Sequence, residues 1–116
     1  MIDTRPALGE LMAAFDALAG GGWQVRTIAS QVAPDGGLLP IRAYFNADEV
    51  NLVLVAGIHG REPAGPVALA RLVPSLIANG LNRRLLVMPL LNPWGYVQCE
   101  RYGPSGKSVS DSDHLL

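Results

Sequence analysis

Two apolar runs of strand length, with a helical pattern between them, constrain the fold of this chain more than any other feature. The runs are Val50–Ile58 and Arg83–Leu91, and both are rich in the aliphatic residues of strands buried on both faces. Pro63 suits the first turn of a helix. The helix has an apolar face made of Val67, Leu69, Leu72, Val73, Leu76 and Ile77. Strand, helix and strand in this order predict a parallel pair with a right-handed crossover.

The N-terminal half is expected to add a helix and a hairpin. Apolar residues recur at helical spacing over residues 6–18, with Thr4 as the expected N-cap and Gly20–Gly22 as the end. Two alternating segments, Trp23–Val32 and Leu38–Phe45, flank the sequence APDGG, which is typical of a hairpin turn. The expected fold is α/β, a mixed and mostly parallel sheet with flanking helices. Residues 1–116 are expected to belong to one domain.

The composition excludes several classes of function. The 116 residues are 49% hydrophobic and 16% charged, which indicates a globular domain. A net charge of −1 offers no electrostatic basis for binding nucleic acid or an anionic membrane. Cys99 is the single cysteine, so an internal disulfide is impossible, and a cytoplasmic location is expected. The apolar runs are too short to span a bilayer.

His59 and Glu62 follow the first apolar run, within the sequence VLVAGIHGREPAGP. Where a strand gives way to a helix, positions i and i+3 can turn their side chains toward one point. An imidazole nitrogen and a carboxylate oxygen are both good zinc ligands. The alternative is a capping histidine beside a glutamate that favours the helix dipole. A catalytic zinc needs three protein ligands, so this pair supplies two of them.

A second segment, after the second run, extends the pattern into a family resemblance. AGIHGREPAG resembles the first zinc-ligand segment of the carboxypeptidase A-like zinc peptidases and their succinylglutamate desuccinylase/aspartoacylase relatives. MPLLNPWGYVQCERYGPSG resembles the strand, Asn-Pro-Asp-Gly-Tyr turn and arginine of the same family. The two motifs and the unit between them cover about residues 50–106. The resemblance identifies the chain as the N-terminal portion of such a domain.

The resemblance implies a zinc-dependent hydrolase of amide bonds, acting on peptides or acyl-amino acids. It makes His59 and Glu62 ligands of Zn²⁺. It makes Arg101 the catalytic residue that polarises the scissile carbonyl and stabilises the oxyanion. The alternative for Arg101 is an exposed loop arginine paired with Glu100 or Asp111. Asn92 and Pro93 are expected to shape the loop.

Three departures from the family pattern bear on activity. Ser110 and Asp111 stand where the family has an Asn-Arg pair that holds a terminal carboxylate, and an aspartate would repel that group. The family's third ligand, a downstream histidine, has no counterpart; His114 comes too early in the sequence. The glutamate that acts as the general base in the family also has no counterpart in this chain. The chain is therefore expected to be truncated and inactive alone, with self-association through an uncovered sheet edge.

Two other functions remain open from the sequence. A non-catalytic binding or interaction module on the same fold is favoured by the loss of the Asn-Arg pair at Ser110 and Asp111. The second open function is a different hydrolase with the same α/β fold, such as an esterase. The sequence SGKS at 105–108 lacks the earlier glycine of a phosphate-binding loop, because Arg101 occupies that position.

Overall fold

The computed structural model describes residues 5–104, which form three helices and four strands. In chain order the elements are α1 (Leu8–Gly20), β1 (Gln24–Val32), β2 (Leu38–Phe45), β3 (Leu52–Val55), α2 (Ala64–Ala78), β4 (Leu85–Met88) and α3 (Pro93–Gln98). The predicted α/β fold is thereby confirmed. Within the described residues, no helix combines the length and the hydropathy that crossing a bilayer requires.

The four strands form one mixed sheet in the order β1-β2-β4-β3. The predicted parallel pair is confirmed, since Leu52 to Val55 lie opposite Leu85 to Met88 in a parallel register. β1 and β2 form the predicted antiparallel hairpin, and β2 also pairs antiparallel with β4. Parallel pairing, expected for most of the sheet, is thus limited among these strands to β3 and β4.

The helices pack against one face of the sheet and form the core with it. In α1, the side chains of Leu11, Phe15 and Leu18 are buried because their spacing places them on one side of the helix. From the sheet, Tyr44 lies opposite Val87 in the register, so both point to this face. The remaining core residues are Leu69, Val73, Leu85, Leu90 and Tyr96.

The opposite face and the β3 edge are more exposed than the sequence suggests. The apolar run at Val50–Ile58 predicts a buried strand, but β3 is short, and Val53 and Val55 are 50% and 49% exposed. The prediction is wrong for the described residues because β3 is the edge strand, and the helices cover only the other face. An apolar edge of this kind favours association. Self-association through it stays a prediction.

Two local features differ from expectation. The N-cap of α1 is Ala7, whose side chain makes no capping hydrogen bond, and not Thr4 as expected. Thr4 lies outside the described residues. The segment after Asn92, expected to be a loop, contains α3. Its start signals, an asparagine cap followed by a proline at the first helical position, are present in the sequence. Its length of six residues is too short for any periodicity to show.

Tyr44, a buried tyrosine of the core, makes the free energy of unfolding depend on pH in the alkaline range. The hydroxyl of Tyr44 donates to Asp16 at 2.6 Å, and Arg42 lies 3.1 Å from the same carboxylate. Burial, and then Asp16, raise the pKa of Tyr44 well above its usual range. In the unfolded chain Tyr44 loses its proton near pH 10, whereas the native state keeps it. The contribution of Tyr44 to the free energy of unfolding is therefore complete below about pH 10, and it is lost as the pH rises further.

We expect Tyr44→Phe to flatten this pH dependence. The free energy of unfolding of the native sequence should fall more steeply between about pH 9.5 and 11.5 than that of Tyr44→Phe, because phenylalanine cannot ionise. Urea denaturation across this range measures both. Parallel curves for the two proteins would contradict the role of Tyr44.

Candidate metal centre

The turn that follows β3 brings His59 and Glu62 into direct contact. The backbone leaves β3 through Gly57, whose φ of 75° favours glycine, and reaches α2 at Ala64. Within the turn the amide of Glu62 donates to the carbonyl of His59 at 3.1 Å. The side chains then meet, with Nδ1 of His59 2.7 Å from Oε2 of Glu62. The i, i+3 convergence predicted for these two residues is what the turn produces.

The pair lines a small cleft at the carboxyl end of β3. The cleft has a volume of about 250 Å³ and is lined by the turn itself together with Val55, Ala56 and Gly65. The side chain of His59 is 22% exposed and that of Glu62 is 65% exposed. Pro63 is the N-cap residue of α2, and its side chain makes no capping hydrogen bond.

The second motif forms α3, and Asn92 organises its start. The Oδ1 atom of Asn92 accepts from the amide of Gly95 at 2.9 Å, which caps the helix, while Pro93 occupies the first helical position. Asn92 is fully buried. Its Oδ1 also accepts from Nε2 of Gln31 at 3.0 Å, and Oε1 of Gln31 accepts from the amide of Trp94 at 2.8 Å. Asn92 thus shapes this segment, in keeping with the role inferred for it from the sequence.

Backbone hydrogen bonds join the two motifs. Beyond the paired strands, the amides of Leu91 and Asn92 donate to the carbonyls of Ala56 and Gly57 at 3.1 and 2.9 Å. This continues the parallel ladder of β3 and β4 into the loops that carry the motifs. Their adjacency follows from the strand register, because the carboxyl ends of parallel neighbours lie at one edge of the sheet.

The two motifs also pack directly against each other at Gly60. A methyl group on Gly60 would lie 2.5 Å from the backbone nitrogen of Tyr96 and closer than that to Gly95. Any side chain at position 60 would therefore collide with α3. The turn and the helix pack backbone against backbone, which requires glycine at this point.

The loop that contains Arg101 passes beside the His59 turn. The carbonyl of Arg101 accepts from the amide of Gly60 at 3.3 Å and from Nδ2 of Asn92 at 3.5 Å. Its side chain is exposed, and the guanidinium lies 5.6 Å from the centre of the Tyr102 ring. The backbone of Arg101 is thus joined to the turn of His59 and Glu62. The remaining sequence candidates, Ser110, Asp111 and His114, lie outside the described residues.

The donor set suits a divalent metal but is incomplete in the described part of the chain. His59 and Glu62 offer the nitrogen and oxygen donors that zinc takes, and the two atoms that meet in a hydrogen bond could both face a cation. Within residues 5–104, no group of three or more His, Cys, Asp or Glu side chains is placed to hold a metal. The pair fits two positions of a zinc site.

Two further residues at this junction were not found from the sequence. Gln31 is a buried amide on β1 that contacts the start of α3, and Arg5 contacts the His59 turn from the segment before α1. A polar residue in a strand and an arginine near the N-terminus carry no local signal of these roles. Both form hydrogen bonds with residues more than 50 positions away in the sequence.

Comparison with solved structures shows that this architecture is shared by metallopeptidase-like and aspartoacylase-like hydrolases. A candidate metallopeptidase of Shewanella amazonensis is 24% identical and has a TM-score of 0.71, with 86% of this chain and 38% of that one covered. An aspartoacylase family protein of Mesorhizobium loti is 23% identical, with a TM-score of 0.56 and coverage of 80% and 34%. The chain thus spans about two fifths of the length of the structures it matches.

A third structure with the same fold has a lower sequence identity. Bovine thrombin-activatable fibrinolysis inhibitor, in complex with tick carboxypeptidase inhibitor, is 16% identical and has a TM-score of 0.68. The match covers 92% of this chain and 40% of that one. Identities this low establish the fold alone. No curated protein gives a significant sequence match to the chain.

The sequence profile of one family covers more than half of the chain. The succinylglutamate desuccinylase/aspartoacylase catalytic domain matches residues 48–111, a segment that begins just before β3 and includes both motifs. The resemblance inferred from the sequence is thereby confirmed. The chain belongs to the succinylglutamate desuccinylase/aspartoacylase catalytic domain family.

Proposed function

We propose that this protein is a zinc-dependent hydrolase of amide bonds, acting on peptides or acyl-amino acids, with His59 and Glu62 as zinc ligands. The observation that carries the proposal is the 2.7 Å contact between Nδ1 of His59 and Oε2 of Glu62, at the carboxyl end of β3. Family membership adds support, since the profile spans the whole motif region. A bound zinc would supply Lewis acidity and lower the pKa of a coordinated water.

The residues of the chain have separate tasks in this proposal. His59, as the neutral imidazole, and Glu62, as the carboxylate, would hold the metal in the cleft that they line. Arg101 would stabilise the negative charge that develops on the scissile carbonyl oxygen, a task for which a fixed guanidinium is well suited. The hydrogen bond from Gly60 to the carbonyl of Arg101 supports this, because it holds the arginine's backbone beside the ligand turn.

The substrate class rests on the named relatives. One structural relative is an aspartoacylase family protein, another is a candidate metallopeptidase, and a third is bound to a carboxypeptidase inhibitor. These names support an amide substrate, either an acyl-amino acid or a peptide. Asp111, in place of an arginine, disfavours a substrate whose free carboxylate would bind there.

Zinc titration of residues 1–116 tests the ligand assignment. We expect weak binding, because two protein ligands do not hold a catalytic zinc, and we expect His59→Ala to abolish it. Isothermal calorimetry measures both, and Glu62→Gln should lower the affinity as well, since an amide is a poorer zinc ligand than a carboxylate. We expect no peptidase or deacylase turnover from this chain alone.

His114→Ala is the matched control. If His114 takes no part, this variant should bind zinc as the native sequence does. Tight one-to-one binding that is lost in both His59→Ala and His114→Ala would show a complete site and contradict the expected inactivity. No zinc binding by the native sequence at millimolar concentration, or binding unchanged in His59→Ala, would refute the ligand assignment and favour a non-catalytic binding module.

A further inference from the structure

Arg5 lies at the point where the His59 turn meets α3. Its Nη1 donates to the carbonyl of Gly60 at 2.8 Å, and its Nη2 donates to the carbonyl of Arg61 at 3.0 Å. These two carbonyls belong to the residues between His59 and Glu62. A single guanidinium therefore binds the backbone of the turn at both of its intermediate positions.

The same guanidinium binds the second motif. Nη1 also donates to the carbonyl of Tyr96 at 3.2 Å, and Nη2 lies 3.3 Å from Sγ of Cys99. Tyr96 is within α3, and Cys99 is the residue that ends it. Arg5 thus joins the turn to the helix through side-chain hydrogen bonds, in addition to the backbone contact of Gly60 with Gly95.

Tyr96 holds Arg5 in place. The guanidinium lies 5.2 Å from the centre of the Tyr96 ring, and the Tyr96 hydroxyl donates to the carbonyl of Pro6 at 2.5 Å. Tyr96 is itself buried in the core. The segment that carries Arg5 is therefore fixed before α1 begins, and the guanidinium is oriented toward the turn without a large loss of side-chain freedom.

The chemistry of the contacts favours a strong and specific interaction. A guanidinium presents several N–H donors in a fixed plane, which lets one side chain bind several carbonyls at defined angles. Hydrogen bonds that involve a charged donor are stronger than neutral ones. Lysine could not reproduce the arrangement, because its ammonium is a single point with no planar fork.

We infer that Arg5 is a positioning residue, which fixes the His59–Glu62 turn against α3 and thereby sets where these two side chains meet. The inference rests on the proposed function only in treating the turn as the metal-ligand turn. Residues that orient the ligands of a metal typically change its affinity by about tenfold to a hundredfold when they are replaced.

Hydrogen exchange of Arg5→Met tests the inference without a metal. The amides of Gly60 and Glu62 are bonded within the junction and the turn, and we expect them to exchange roughly tenfold to a hundredfold faster in the variant. The amides of β4 should exchange as in the native sequence, because they report the stability of the sheet. A role in general stability would instead raise exchange in β4 and in the turn alike.

Arg26→Met is the matched control, since Arg26 also lies near an aromatic ring, 5.8 Å from the centre of Phe45, but in β1. It should leave the amides of Gly60 and Glu62 unchanged. Arg5→Lys keeps the charge and should give an intermediate effect; it also retains the test if Arg5→Met does not fold. Unchanged exchange at both amides in Arg5→Met, or a uniform increase that includes β4, would overturn the inference.

Zinc titration separates this inference from the proposed function. Where the native sequence binds zinc, Arg5→Met should weaken the affinity by about tenfold and Arg26→Met should not. If the native sequence binds no zinc while Arg5→Met still loosens the turn, the proposed function fails and the positioning role stands. If zinc binds through His59 and the turn is unaffected by Arg5→Met, the positioning role fails alone.

Discussion

Gly60→Ala is expected to destabilise the protein by about 3 kcal/mol or more, because the added methyl group has no space. It would lie 2.5 Å from the backbone nitrogen of Tyr96 and closer still to Gly95. Backbone atoms cannot move aside as the end of a flexible side chain can. The turn would have to separate from α3, with loss of the hydrogen bond from the amide of Gly60 to the carbonyl of Arg101. Urea denaturation measures the loss in the free energy of unfolding.

Gly9→Ala is the control for this substitution. Gly9 lies in the first turn of α1, and nothing lies within 4 Å of the position where its Cβ would be. Alanine favours a helix by up to about 1 kcal/mol relative to glycine, so this variant should be as stable as the native sequence or more so. Equal stabilities for Gly60→Ala and Gly9→Ala would show that the two motifs do not pack as closely as the structure indicates.

Asn92→Ala is expected to cost about 3 kcal/mol, from two causes. The first is loss of the N-cap of α3, where the amide of Gly95 loses its acceptor, typically worth about 1 kcal/mol. The second is that Nε2 of Gln31 loses its buried hydrogen bond to Asn92, which costs about 1–3 kcal/mol. Thermal and urea unfolding measure the total.

Asn79→Ala separates this effect from the ordinary loss of an asparagine at a helix end. Asn79 is exposed at the end of α2, and its side chain donates to the carbonyl of Ser75 at 2.7 Å. Because water can replace that bond, the cost should stay below about 1 kcal/mol. Combining Asn92→Ala with Gln31→Leu should cost less than the sum of the two single changes, since the pair is coupled. Strict additivity would argue against the buried pair.

Both predictions concern one structural unit, the junction between the His59 turn and α3. Its contacts are backbone packing at Gly60, the buried pair of Gln31 and Asn92, and the guanidinium of Arg5. A metal-dependent hydrolase needs its ligands and its charge-stabilising groups held within a fraction of an ångström. The junction supplies rigid support for a turn that is otherwise exposed at the surface.

The order of the elements was predictable because each depends on nearby residues. The hairpin between β1 and β2, the helix after Pro63 and the parallel pair of β3 and β4 follow from periodicity and turn residues. The contact of His59 with Glu62 spans three positions, so local backbone geometry suffices to produce it. The two motifs lie at one edge of the sheet because the parallel strands β3 and β4 place their carboxyl ends together.

Tertiary structure alone decided which surfaces are buried and what supports the candidate site. An apolar run such as Val50–Ile58 shows that a strand forms but not that β3 lies at the edge of the described sheet, because edge position depends on strand order. The contacts of Arg5 with Gly60 and of Gln31 with Asn92 span 55 and 61 positions. No sequence pattern encodes such contacts, because they arise only when separate elements pack together. The sequence by itself determined the pair of candidate ligands, and the packing of distant segments determined how that pair is held.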